Sequence, residues 1–383
     1  MKTSLISLVS IVFMAALALA DCPEGDLNRD CKVNLFDFGL MAESWLDIEP
    51  NLPVGSVVIY EVMAHSHGTA PDWVELYNTT GSAVNIGGWY LSDSDRHLTD
   101  SFAYQILSGT TIPPYGYAVF YETNFGTKFK LSENGDQVYL SLNRDGLPFG
   151  MDDFEFGASE VNVSFGRYTT SIDEVKFVAM DSNTPGQLNS YPKVGPVVIT
   201  EVMYYFDTDN PDSDNYEYIE LYNIKNYPVN LWVYDPCTSS DLSWAITKGI
   251  DYTFPYHTTM PAYSYLIVAK NAATCRSAFG IPPEIPVLGS FSGKLSNEGE
   301  NIELSIPGEL ANPPDLGSRV YIRVDNVSYS DGEHHENFPG LDPWSQTRNA
   351  NGGGHSLHRI DPDLFGDDVN NWISNEADPG FGY

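Results

Sequence analysis

Twelve residues near the start of the chain carry the most legible chemistry: Asp26-Leu27-Asn28-Arg29-Asp30-Cys31-Lys32-Val33-Asn34-Leu35-Phe36-Asp37. Side-chain oxygens fall at loop positions one, three, five, nine and twelve, as Asp26, Asn28, Asp30, Asn34 and Asp37, and Lys32 at seven can offer its backbone carbonyl. A hard cation takes about six to eight oxygens, and alternate residues of a tight loop point inward to supply them. These six residues are the expected ligands and calcium the expected cofactor. Position six, where such loops use glycine for a sharp turn, is Cys31.

The element that must hold such a loop is a helix directly after it. Leu35, Phe38, Ala42, Trp45 and Leu46 recur at three- and four-residue intervals, which predicts a short helix over 37–46 with one apolar face. On these residues the segment resembles one half of a dockerin repeat, the secreted relative of the EF-hand, in which the twelfth ligand is commonly Asp, as Asp37 is here. The resemblance implies a cohesin-like partner. A dockerin pairs two such repeats, however, and the other acidic stretches fail at position five, where Pro211 and Phe365 stand. The lone half is therefore read as a calcium-stabilised module or attachment tag.

Two further sets of residues invite chemistry. Glu61 with Glu75, and Glu201 with Glu220, could be paired acid–base carboxylates, but each alternates with apolar residues and is read as the solvent-facing half of a strand. His65 and His67, His334 and His335, and His355 and His358 have spacings that can hold a metal. No cysteine or carboxylate stands beside them in a zinc-like sequence arrangement, so they are read as exposed loop residues. The chain lacks Gly-x-Ser-x-Gly, His-Glu-x-x-His, a phosphate loop and a dinucleotide fingerprint, and it is read as a non-enzyme. The rival is a hydrolase whose site gathers Asp325, Glu333, His334, His335 and Asp342 in an inserted stretch, 312–351.

Behind these residues lies a phrase written twice. Val57-Val58-Ile59-Tyr60-Glu61-Val62-Met63 with Trp73-Val74-Glu75-Leu76-Tyr77-Asn78 returns as Val197-Val198-Ile199-Thr200-Glu201-Val202-Met203 with Tyr218-Ile219-Glu220-Leu221-Tyr222-Asn223. Farther on, 131–140 answers to 295–304, so the offset grows from 140 to 164 as insertions accumulate in the second copy. Short alternating runs between Gly, Pro, Asn and Asp clusters predict strands and tight turns, hence an all-β chain of two immunoglobulin-type sandwiches.

Each copy resembles a lamin-tail domain. The first carries Gly88-Trp89-Tyr90-Leu91-Ser92-Asp93, Ile112-Pro113-Pro114, Gly135-Asp136, Val138-Tyr139-Leu140, Phe165-Gly166-Arg167-Tyr168 and Thr184-Pro185-Gly186 in family order. The second keeps Gly299-Glu300-Asn301-Ile302-Glu303-Leu304, Ser356-Leu357-His358-Arg359-Ile360 and Asp378-Pro379-Gly380. It departs where Leu231-Trp232-Val233-Tyr234 replaces the Gly-Trp-Tyr-Leu phrase. The resemblance implies scaffold and attachment roles, with a protein or cell-envelope partner. The sequence-based domains are 1–20, a signal peptide; 21–49, the half-dockerin; 50–192, the first lamin-tail domain; and 193–383, the second.

The lysine near the start, the apolar run from Ile6 and Ala18-Leu19-Ala20 before Asp21 read as a secretory leader, so the chain is expected to be exported. Four cysteines in an oxidising compartment favour disulfides, with Cys22–Cys31 and Cys237–Cys275 preferred. No later stretch is long and apolar enough for a transmembrane helix. A net charge of -33 repels phosphate backbones and disfavours nucleic acid as a partner.

Overall fold

The computed structural model describes residues 32–36, 38–39, 52–94, 102–144, 147–236, 238–310, 319–333 and 342–382. The segment 1–20 expected to be a leader, Asp26, Asn28, Asp30, Asp37, Cys22, Cys31, Cys237, His334 and His335 lie outside them. The chain is all-β, as its alternation predicts, and its strands form two successive sandwiches. No helix among the described residues is long and apolar enough to cross a membrane, which says nothing of strands.

The first sandwich sets a five-stranded antiparallel sheet, in the order 175–179, 165–169, 57–63, 73–78, 117–121, against a four-stranded one, in the order 104–105, 90–92, 135–144, 147–157. Val57, Ile59, Val62, Val74, Leu76, Trp89, Leu91, Val138 and Leu140 fill the space between. The second sandwich repeats the plan. Strands 372–376, 355–359, 197–203, 218–223 and 265–269 stand in the same order, with 287–288 added parallel at the edge, and the facing sheet runs 252–253, 245–248, 299–310, 319–330.

Hydrogen bonds revise two sequence alignments of the copies. The Gly-Trp-Tyr-Leu strand is displaced in the second copy, not lost. Leu91 pairs with Leu140 as Ile246 pairs with Leu304, and Trp89 N donates to Ile86 O as Trp244 N donates to Leu231 O. Trp244 thus takes the place of Trp89, and Trp232–Asp235 with Ser240–Ser243 is an extra ribbon inserted before it. Likewise 312–351 is not wholly an insertion. Arg319–Ser330 is the hairpin partner of Gly299–Leu310, as Leu147–Gly157 is of Gly135–Arg144.

Every residue of Val57–Met63 and of Val197–Met203 is buried, although a sheet facing one core should bury alternate residues. The reason is a second cover on the outer face. In the first sandwich the rings of Tyr60, Tyr77 and Tyr117 pack at 5.0–5.5 Å over it. In the second the helix Ala272–Phe279 lies there, capped by Asn271 and ended by Gly280 at φ 62. Cys275 of that helix is fully buried with Met203, Tyr218 and Ile267, and its thiol is free. The bridge to Cys237 expected from sequence is therefore not made at the Cys275 end; the residue sits in apolar packing instead.

The sandwiches touch through the hairpin 165–179 and the loop around 361–369. Val178, Met180 and Phe365 share a small core with Tyr168. Lys176 Nζ lies 2.5 Å from Asp367 Oδ2, Ser171 donates to Asp368, and Phe365 N donates to Tyr191 Oη at 2.9 Å.

Candidate functional site

The doubled glutamates face away from the core yet are not in solvent: Glu61 and Glu75 are 0% exposed, and Glu201 and Glu220 are 2% exposed. This corrects the solvent-facing reading. The face was assigned properly, but the chain returns after its last strand and seals it. Strand register places Glu61 opposite Glu75 and Glu201 opposite Glu220. Like charges side by side and out of water repel, so each pair needs donors or protons.

The donors come from a turn far along the chain. In the first sandwich Thr184 N donates to both Glu61 oxygens at 3.1 Å, Thr184 Oγ1 to Glu61 Oε2 at 2.9 Å, and Gly186 N to Glu75 Oε2. Ser164 Oγ donates to Glu61 Oε1 at 2.5 Å. In the second, Asp378 N donates to Glu201 Oε1 at 3.3 Å, Gly380 N to Glu220 Oε2 at 2.5 Å, and Ser356 Oγ to Glu201 Oε1 at 2.5 Å. Tyr218 Oη and Thr200 Oγ1 add one bond each, to Glu201 and Glu220. Thr184-Pro185-Gly186 and Asp378-Pro379-Gly380 are thus equivalent latches, each held by its own pair of glutamates.

Burial raises the pKa of all four carboxyls above the ordinary range. Glu75 reaches about 7, by burial first, opposed by the Gly186 N–H and reinforced by the charge of Glu61. Glu220 also reaches about 7, by burial, opposed by Thr200 and Gly380 and reinforced by Asp378. Glu75 Oε1 is enclosed and has no hydrogen-bond partner among the described residues, so nothing there offsets the cost of a buried charge.

A second doubled constellation pins the kink in the opening strand. Register slips between Ile59 and Glu61, and between Ile199 and Glu201. Ile59 N donates to Asp152 Oδ2 at 2.6 Å, and Arg167 Nη2 reaches that oxygen at 2.6 Å while its Nε donates to Ile59 O at 3.1 Å. Ile199 N donates to Asp325 Oδ2 at 2.8 Å, and Arg359 Nη1 reaches that oxygen at 2.7 Å and Ile199 O at 3.0 Å. Burial lifts the Asp152 carboxyl to about 6 against the pull of Arg167.

These contacts engage two members of the expected hydrolase group, Asp325 and Asp342. Asp325 is consumed by Arg359, and Asp342 accepts from Trp344 N and Ser330 Oγ at the start of the turn Pro343–Ala350. His334 and His335 lie outside the described residues. Of the residues expected to line a calcium loop, Lys32 and Asn34 are described, and Asn34 Oδ1 accepts from Phe36 N at 2.7 Å, capping the helical residues that follow. Leu35 packs over Gly150, where an added Cβ would stand 2.5 Å from its Cδ2, so this segment rests on the first sandwich.

His358 also departs from its sequence reading. It lies on the strand His355–Arg359 with a side chain 13% exposed, and two carboxylates stand beside it. Its Nε2 is 3.2 Å from Glu201 Oε1 and 2.8 Å from Ser356 Oγ, and its Nδ1 is 3.4 Å from Asp378 Oδ1. Burial lowers its pKa against the opposing pull of Asp378. Sequence spacing could not reveal this, because the three residues are brought together by strand register and the returning tail. His65, by contrast, is half-buried against Ser159 O and His67 is exposed.

A cleft of about 250 Å³ separates the sandwiches, lined in part by Lys193, Lys248, Glu303, Arg323 and Phe365. Its cations face Glu160 and Glu303 at 2.5–3.9 Å, which neutralises it as an anion site.

The described strands form two immunoglobulin-like β-sandwiches. The family model for the Lamin Tail Domain matches residues 50–157, from before the opening strand to the end of the long hairpin. No curated protein matches the chain. Among solved structures, a DUF4876 family protein from Bacteroides thetaiotaomicron VPI-5482 is 10% identical, with 85% of this chain and 93% of that chain covered. The TM-score is 0.28, too low to fix a common arrangement.

Proposed function

We propose that this chain is an exported, non-catalytic binding protein in which tandem lamin-tail-type sandwiches serve adhesion or extracellular assembly. The observation that carries the reading is the fate of the buried ionisable groups. Glu61, Glu75, Glu201, Glu220, Asp152 and Asp325 each accept a hydrogen bond from a backbone amide, so the buried carboxyls help to hold the fold. The contact between hairpin 165–179 and the loop at 361–369 favours a fixed relation between the two sandwiches.

The N-terminal loop Asp26, Asn28, Asp30, Lys32, Asn34 and Asp37 adds a calcium-dependent attachment role, and its packing of Leu35 on Gly150 would transmit calcium occupancy to the first sandwich. The test presents the immobilised full chain to envelope fractions and to purified cohesin, with calcium and with chelator. Calcium-dependent retention of one defined, chemically unaltered partner supports the reading. Cleavage of the retained material overturns it, and selective retention of cohesin favours an accessory subunit of a polysaccharide-degrading assembly.

A further inference from the structure

We infer that Glu201, His358 and Asp378 of the second sandwich form a binding site for one divalent transition-metal ion, zinc by ligand chemistry. The first sandwich is an internal control. Strand register places Gly166 opposite Glu61 where His358 stands opposite Glu201. Thr184 and Asp378 occupy the same position in their latches, each donating its N–H to the glutamate. The two copies therefore keep one glutamate and one backbone frame, and around that glutamate the second has exchanged glycine and threonine for two metal-ligating types that face each other. At Gly166 the space a side chain would fill is taken by Asn189 Nδ2 and Met180 Cε, 2.7 and 2.8 Å from an added Cβ.

The geometry suits a small ion. One ligand atom from each residue lies within 4.8 Å of the others. Zinc bonds of about 2.0–2.2 Å in a tetrahedron set neighbouring ligands roughly 3.3 Å apart. His358 Nε2 lies 3.2 Å from Glu201 Oε1 and Nδ1 lies 3.4 Å from Asp378 Oδ1, so an ion held by one ring nitrogen meets one carboxylate at this spacing and the other within the 4.8 Å span of the group. Asp378 Oδ1 is enclosed and accepts no hydrogen bond among the described residues, so a desolvated ligand atom is aimed at the imidazole. The side chain of Asp378 is 47% exposed, which leaves a path for the ion and a place for water as fourth ligand. Among the described residues, the ion-pair partner of Glu201 and of Asp378 is His358 alone, while Glu220 adds a third carboxylate beside them. A divalent cation would balance that charge. An imidazole with two carboxylates suits zinc better than calcium, which prefers an all-oxygen shell.

The test titrates chelator-stripped full chain with Zn²⁺ by calorimetry, beside the double variant His358→Gly with Asp378→Thr, which installs the residues the first sandwich already uses. The N-terminal loop is unchanged in both, so any zinc it takes cancels. The wild type should bind one more equivalent than the variant, or bind its tightest equivalent about 100-fold more strongly. Equal stoichiometry and affinity overturn the site. If the variant does not fold, as judged by near-ultraviolet circular dichroism, X-ray absorption on the zinc-loaded wild type decides instead. A shell with one imidazole and two carboxylates supports the site, and any other shell, or no bound zinc, overturns it.

Discussion

Replacing Glu75 by glutamine should remove a specific part of the protein's pH dependence. The Glu75 carboxyl is raised from 4.5 to about 7, chiefly by burial. A carboxyl with a raised folded-state pKa holds its proton more tightly in the folded chain than in the unfolded one. Stability is therefore unaffected below the unfolded value and falls as pH rises through the window from 4.5 to about 7. At 1.36 kcal/mol per unit, the full penalty is on the order of 3 kcal/mol, of which about 2 kcal/mol develops between pH 5 and 8. Glutamine can still accept from Gly186 N and has no charge to bury. Urea unfolding followed by tryptophan fluorescence at both pH values measures the effect, because other titrations cancel in the difference from wild type. The variant should match the wild type within about 1 kcal/mol at pH 5 and exceed it by about 2 kcal/mol at pH 8. Parallel pH profiles for the two proteins would refute the argument that Glu75 is a buried, proton-holding group.

Arg359→Met should cost about 3–5 kcal/mol in urea unfolding, because it leaves Asp325, itself 6% exposed, buried without its cation; adding Asp325→Asn should recover part of that loss. Phe365→Ala should cost about 3 kcal/mol and split calorimetric unfolding into two transitions, since that ring joins the sandwiches through Val178, Met180 and Tyr168. Trp244→Ala should destabilise the second sandwich by about as much as Trp89→Ala destabilises the first, roughly 3–5 kcal/mol, if the two indoles are equivalent. Calcium titration of the full chain should raise its melting temperature, and Asp26→Ala should abolish the rise.

Much of the scaffold is legible in the sequence because strand burial leaves a period-two signature and the doubled phrase fixes its register. What stays hidden are effects of the third dimension. Glu61 and Glu75 alternate with apolar residues, which assigns them to the outer face, but the alternation contains nothing about the Thr184-Pro185-Gly186 turn that returns to cover that face. The signal that could have disclosed the latch is the joint doubling of the glutamates with Thr-Pro-Gly and Asp-Pro-Gly. Trp244 escaped alignment because the ribbon 232–243 places another tryptophan, Trp232, first in the chain. His358 looked like one of several loop histidines because its partners, Glu201 and Asp378, stand far off in sequence and meet it only through the sheet and the tail.

The four buried glutamates belong to the fold and hold the returning tails. Amide hydrogen exchange at Gly186 and Gly380 in the full chain tests this most directly, because those N–H groups donate to Glu75 and Glu220. Both amides should exchange about as slowly as the core strands they cover, and Glu75→Gln should leave Gly380 unaffected. Exchange at the rate of an open loop at either glycine would contradict the latch.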